Sequence, residues 1–366
     1  MIRSVRAALA AALIPMTMTG RAGADELVRP AEILRTGAEA AVAHGFPGVI
    51  GLIRRGEETQ YVHTGSGDLT TGAAADPSAQ FRIGSFTKAF VAVVLLQLAA
   101  EQRLTLDDPL ERWIPDAPPG GTAITVRQLL NHTSGLADYA GDPRVSLPYL
   151  ANIDPRQPWT PQALVDIATA LPRVSGPGER FSYANTNYLL AGMVITAVTG
   201  HHPAVEVGTR IIEPLRLRDT TFPTTDRTLR GNWLHGYTWQ RDVSFSDPQV
   251  YGAAGAMVST LDDFAAFARA LYSGQLLAPA QQRELTTTVP IDNTGAGYGL
   301  GVFHTLTPCG SAWSYVGLVL GYEAQMMMSD DGGRQVVAAA NEYHLLADTP
   351  GTYALSDAVT EAYCAL

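Results

Sequence analysis

Apolar and polar positions along this chain follow two different periods in separate blocks. Leu27, Ile33, Leu34, Ala38, Ala41 and Val42 recur at near-helical spacing, which predicts an amphipathic helix over 25–44. Residues 46–55 and 58–63 switch to strand-like runs on either side of Gly56, the pattern of a β-hairpin. A short strand at 81–83 leads into an apolar run to Ala100. Ser85 opens a helix there, and a helix apolar almost all round belongs in the interior.

From 107 to 248 the chain is rich in proline, and helical spacing is clearest at 126–131, 161–171 and 187–199. Pro177-Gly178 marks a strong turn within it. Beyond this block Ser259 or Thr260 caps a helix through Leu271, with Asp262 and Asp263 in its first turn. Strand-like runs follow at 298–304, 312–319, 322–329 and 334–341, with Asp331-Gly332-Gly333 as a hairpin turn, and a last helix spans 353–363. This order predicts an α/β (α+β) fold in which both termini complete one antiparallel sheet flanked by helices. The α/β lobe is 25–106 plus 249–366, the α-rich second lobe is 107–248, and an active site would lie in the cleft between them.

The first residues need separate treatment. Arg3 and Arg6, an apolar run from Ala7 to Met18 and Ala22-Gly23-Ala24 have the order of a secretory signal peptide, so 1–24 are expected to be removed. The run is too short for a comfortable membrane span, so a secreted protein without a stable membrane anchor is expected. In that compartment Cys309 and Cys364, the two cysteines present, are expected to form a disulfide. A net charge of −10 argues against nucleic acid as a partner. The cysteines lack zinc-site spacing and no His-Glu-x-x-His occurs, so neither metal nor cofactor is expected.

Composition also singles out a chemical group. Of the 25 basic residues one is a lysine, Lys88. Arginine stays protonated in proteins, whereas a desolvated lysine can lose its proton and act as a base. Ser85 precedes Lys88 by three residues, a spacing that shares one helix face, and a hydroxyl beside a titratable amine is an activated nucleophile. Tyr183 and Asn185 follow the Pro177-Gly178 turn. Two residues apart in a loop, they can point the same way and offer a phenol for proton transfer and an amide for positioning.

With Ser85-x-x-Lys88 and Tyr183-x-Asn185 in place, the chain resembles the serine penicillin-recognising family. Within its class C β-lactamase-like branch the chain is similar to secreted D-alanyl-D-alanine carboxypeptidases. The stretches 124–136, 177–183 and 297–301 support the likeness, which covers everything after the signal. The resemblance implies a β-lactamase/transpeptidase-like fold and an acyl-enzyme on Ser85. Lys88 would act as or assist the general base, Tyr183 would move the proton to and from the leaving group, and Asn185 would bind substrate. Backbone amides of Ser85 and Leu318 would stabilise the oxyanion. His132, in a family-like turn, is read as structural.

The third motif departs from the family pattern. Where the family has Lys or His, Thr or Ser, then Gly, this chain has Tyr315-Val316-Gly317; Phe303 stands where similar carboxypeptidases carry an arginine for the substrate carboxylate. No Lys or Arg occurs from 284 to 333. A carboxylate is recognised best by a fixed cation with paired donors. Tyr315 and Gly317 are the substrate-binding candidates left on that strand. The leading expectation is an exported D-alanyl-D-alanine carboxypeptidase-like hydrolase of small peptide, ester or β-lactam substrates. The alternatives are an esterase, a D-amino-acid amidase or a peptide-cyclising transacylase of the same fold, and a non-catalytic β-lactam sensor.

Overall fold

A computed structural model describes residues 28–115, 123–152, 158–343 and 348–366; the expected signal peptide lies outside the described residues. Strands β1 (Gly48–Arg55), β2 (Glu58–Asp68) and β3 (Ala73–Ala74) follow the first helix, Val28–Ala43, and strand β4 (Phe81–Arg82) precedes the nucleophile turn. A small hairpin, β5 (Tyr237–Thr238) and β6 (Arg241–Asp242), and β7 (Val258–Ser259) come next. The C-terminal part supplies β8 (Val289–Pro290), β9 (Gly297–Tyr298), β10 (Phe303–Thr307), β11 (Gly310–Val319), β12 (Tyr322–Met328) and β13 (Arg334–Ala340), then the helix Pro350–Ala365.

The main sheet is antiparallel, in the order β3-β2-β1-β13-β12-β11-β10-β9-β8. The N-terminal hairpin and the C-terminal strands meet where Val49 pairs with Ala340 and Arg55 with Arg334. This is why two segments nearly 300 residues apart form one sheet. β1 and β13 are buried along almost their whole length, which explains their continuous apolar sequence in place of an alternating one.

Each face of the sheet has its own core. On one side the terminal helices Val28–Ala43 and Pro350–Ala365 pack together and cover Val49, Ile53, Val336, Ala338 and Ala340. On the other lies the buried helix Thr87–Ala100, with Phe90 stacked on Phe267 of the Leu261–Tyr272 helix at 3.6 Å between ring centroids. Thr260 is the residue that caps that second helix, accepting from the Asp263 amide. Cys309 and Cys364 are disulfide-bonded, their Cα atoms 5.5 Å apart, so the β10–β11 turn is tied to the last helix.

Two expectations are refined. The strand expected over 298–304 is two strands, β9 and β10, because Gly299 donates to the Val302 carbonyl and Gly301 turns back at φ +85°. The helical lobe centres on Asn185–Thr199, but the chain after Thr221 bonds back to the sheet lobe. Thr221 pairs with Val258, His235 donates to Gly67 and Tyr237 to Asn341. The pairing escapes pattern reading because its strands are only two residues long.

Candidate active site

Ser85, the expected nucleophile, sits just before the helix predicted to carry it. Gly84, Ser85 and Phe86 form a 3-10 turn and the α-helix begins at Thr87. Gly84 has φ +52°, and a Cβ there would lie 2.9 Å from the Leu318 amide nitrogen. A Cβ on Gly317 would run into the carbonyl oxygen of Ile83. Both positions therefore need glycine so that the turn can lie against β11. Thr87 locks the turn, donating to the Gly84 carbonyl at 2.8 Å and accepting from the Met257 amide at 3.1 Å.

Lys88 is 1% exposed, on the first turn of a helix with no polar neighbour on most of its circumference. Its Nζ donates to Ala254 O at 2.7 Å and to Asn185 Oδ1 at 2.9 Å, and lies within hydrogen-bond distance of Ser85 Oγ at 3.1 Å. It also lies 4.9 Å from the Tyr183 ring centre and 5.5 Å from that of Tyr188. Burial disfavours the charged amine and brings its pKa down to about 7, with Asp138 acting in the opposite direction. At neutral pH a large fraction of the lysine is therefore a free base.

Tyr183 donates to Ser85 Oγ at 2.8 Å. Burial raises its pKa above the ordinary phenol value, so Tyr183 holds its proton where Lys88 gives its own up. Behind Tyr183 lies His132, buried, with ring centroids 4.3 Å apart. His132 Nδ1 accepts from the Ala184 amide at 3.3 Å and faces Asn187 Nδ2 at 2.9 Å, and Ser134 donates to Asn187 Oδ1 at 2.6 Å. Burial, with Lys88 nearby, holds the imidazole well below its usual pKa and hence neutral. His132 backs the phenol, and none of its hydrogen bonds reaches Ser85.

Asn185, 9% exposed, is the bridge to a residue the sequence reading missed. Its Nδ2 donates at 3.0 Å to Asp138 Oδ2, a partly buried carboxylate in the loop after the Asn131–Leu136 turn. The Ala140 amide donates to the other oxygen at 3.1 Å. Burial raises the Asp138 pKa, opposed by that amide and by Lys88. The available signal was slight: one acidic residue following Leu136-Ala137 in an otherwise apolar turn.

The third-motif strand alternates between buried and exposed residues. Tyr315 is 3% exposed and turned inward; its ring meets Phe86 and Phe264 edge-on at 5.5 and 5.8 Å and its hydroxyl is 3.4 Å from that of Tyr272. Its alternation partner Val316 is 43% exposed, and Leu318 is partly exposed. Gly317 is the contact with the nucleophile turn. Phe303 packs edge-on to Tyr298 at 4.5 Å, and Tyr298 lies against Phe181 at 5.5 Å and Tyr183 at 6.5 Å. An aromatic group thus occupies the place where a carboxylate-reading cation was sought.

A serine hydroxyl, a buried lysine amine and a phenol thus meet at one point on a β-lactamase/transpeptidase-like fold. The chain belongs to the Beta-lactamase family, whose profile matches residues 29–360. It is similar to a D-stereospecific amidohydrolase from Streptomyces sp., at 36% identity over 90% of this chain and 98% of that one, with a TM-score of 0.82. A D-amino acid amidase from Ochrobactrum anthropi SV3 aligns at 28% identity over 91% and 98% of the two chains, TM-score 0.80. A penicillin-binding protein of Bacillus subtilis (strain 168) is 26% identical over 321 residues, 82% of this chain and 69% of that protein.

Proposed function

We propose that this protein is an exported hydrolase that cleaves D-aminoacyl amides and esters through an acyl-enzyme on Ser85, and that it does not depend on a free C-terminal carboxylate in its substrate. The observation that carries this reading is the aromatic cluster beside Tyr183, in which Phe303 and Phe181 are partly exposed and pack on buried Tyr298. Such a surface accepts a neutral leaving group and offers nothing to offset the desolvation of a carboxylate. The likeness to a D-stereospecific amidohydrolase and to a D-amino acid amidase supports the same direction.

In this mechanism neutral Lys88 takes the Ser85 proton as Oγ attacks the substrate carbonyl. The Ser85 and Leu318 amides receive the oxyanion; one donor of this kind is typically worth about 3–4 kcal/mol of barrier. Collapse breaks the bond to nitrogen or oxygen. Tyr183 gives its proton to the departing group and is refilled from the Lys88 ammonium, which balances the first half. Water then attacks the ester by the same route in reverse and frees Ser85.

The test is a side-by-side assay of a D-Ala-D-Ala peptide, its C-terminal amide, a D-amino-acid amide and an aryl ester, on wild type and Phe303→Arg. We expect the amides and ester to be cleaved in preference, and Phe303→Arg to shift the ratio toward the free-carboxylate peptide. Preferred cleavage of the free-carboxylate peptide by wild type would return the protein to the carboxypeptidases. An acyl adduct on Ser85 that never turns over with any of them would make it a sensor.

A further inference from the structure

We propose that Asp138 is a positioning residue for the catalytic lysine: its carboxylate decides which end of the Asn185 amide faces Lys88, and through that decides where the lysine's lone pair points. The inference rests on the reading of Ser85 as nucleophile and Lys88 as base. Asp138 Oδ2 accepts from Asn185 Nδ2 at 3.0 Å, and Asn185 Oδ1 accepts from Lys88 Nζ at 2.9 Å. An ionised carboxylate can only accept, so it selects the NH2 end of the amide and leaves the oxygen for the lysine. The Ala254 carbonyl, 2.7 Å from Nζ, is also only an acceptor.

A neutral amine has two hydrogens and one lone pair. Two pure acceptors claim both hydrogens, which leaves the lone pair for the third neighbour, Ser85 Oγ, 3.1 Å away. The base is thereby aimed at the proton it must remove. Without the carboxylate the amide can turn end for end. Its NH2 would then donate to the lysine lone pair and occupy the base.

Holding the loop is a separate task, carried by other bonds. Tyr139 donates from its hydroxyl to Val250 O at 2.6 Å and from its amide to Thr186 Oγ1 at 3.2 Å, and Thr186 donates to Ala137 O at 2.7 Å. The groups facing Lys88 are the Tyr183 and Tyr188 rings, the neutral His132, and Asp138, the carboxylate that stabilises its charged form. Removing that charge therefore lowers the lysine's proton affinity as well as freeing the amide.

The experiment measures p-nitrophenyl acetate hydrolysis from pH 5 to 10 by wild type, Ser85→Ala, Asp138→Asn and the exchange variant Asp138→Asn with Asn185→Asp. In the exchange variant the amide at 138 donates to a carboxylate at 185 that accepts directly from Lys88, so the polarity of the chain is restored. Asp138→Asn should lose about tenfold to a hundredfold in plateau kcat with little change in KM, and its acid limb should move to lower pH. The exchange variant should regain part of the plateau, with the limb moved above the wild-type position. Ser85→Ala with full activity would overturn the reading of the site and the proposal with it. With Ser85→Ala inactive, an unchanged limb and plateau in Asp138→Asn would overturn the proposal alone. So would a folded exchange variant no better than the single one; it also serves if Asp138→Asn fails to fold.

Discussion

At Lys88 a single amine is surrounded by acceptors and by apolar helix, and if it is the base, as proposed, this sets the working pH of the site. In the proposed mechanism the lysine acts when neutral, and burial brings its pKa to about 7. Acylation should therefore rise from pH 5 toward a plateau above about 8, an acid limb that a stopped-flow profile with an aryl ester would measure. Lys88→Arg keeps the charge and cannot supply a free base. Its acylation rate should fall by about 10²-fold or more; an arginine variant with wild-type rates would refute the base role. Ser85, Lys88, Tyr183 and Asn185 were legible in the sequence because their spacing is local. Asp138 was not, because its partner Asn185 lies 47 residues away and the pairing exists only once two loops meet.

At the scale of elements, the site depends on how closely the nucleophile turn approaches β11. Gly317 faces the Ile83 carbonyl and Gly84 the Leu318 backbone, so the strand and turn touch main chain to main chain. Gly317→Ala forces them apart. Overpacking of this kind costs about 1–3 kcal/mol, read as a lower denaturation midpoint. Acylation should fall further than stability alone explains, because the Ser85 and Leu318 amides lose their common focus; a variant that loses stability but acylates at the wild-type rate would show that β11 plays no part in the chemistry. The sequence predicted β11 and its glycine. It could not say that Tyr315 packs on Phe86 and Phe264 while Val316 faces the other way and is exposed, since strand alternation leaves open which of two faces is buried.

At the scale of the whole molecule, the two termini complete the sheet and the helical lobe is inserted between them. The Cys309–Cys364 bridge closes 55 residues of chain and fastens the last helix to the β10–β11 turn. Replacing both cysteines by serine should cost ~2–4 kcal/mol of stability, measured by guanidinium unfolding. The bridge meets β11 at the end opposite Leu318, roughly 25 Å along the strand at 3.3 Å per residue. Turnover by the folded variant should therefore be unchanged, and a loss of kcat would mean that the terminal helix reaches the site through the sheet. No helix among the described residues is long and apolar enough to cross a membrane.

The sequence by itself determined the order of elements, the buried character of the helix behind Ser85 and the presence of one titratable amine beside a hydroxyl, all properties of neighbours in the chain. The split of 298–304 into two strands and the return of the 221–243 stretch to the sheet were decided by tertiary contacts. So were the aromatic wall at Phe303 and Tyr298 and the bond from Asp138 to Asn185. Each depends on groups far apart in sequence, brought within a few ångströms by burial of a shared core. Local periodicity carries no record of which distant face will be opposite.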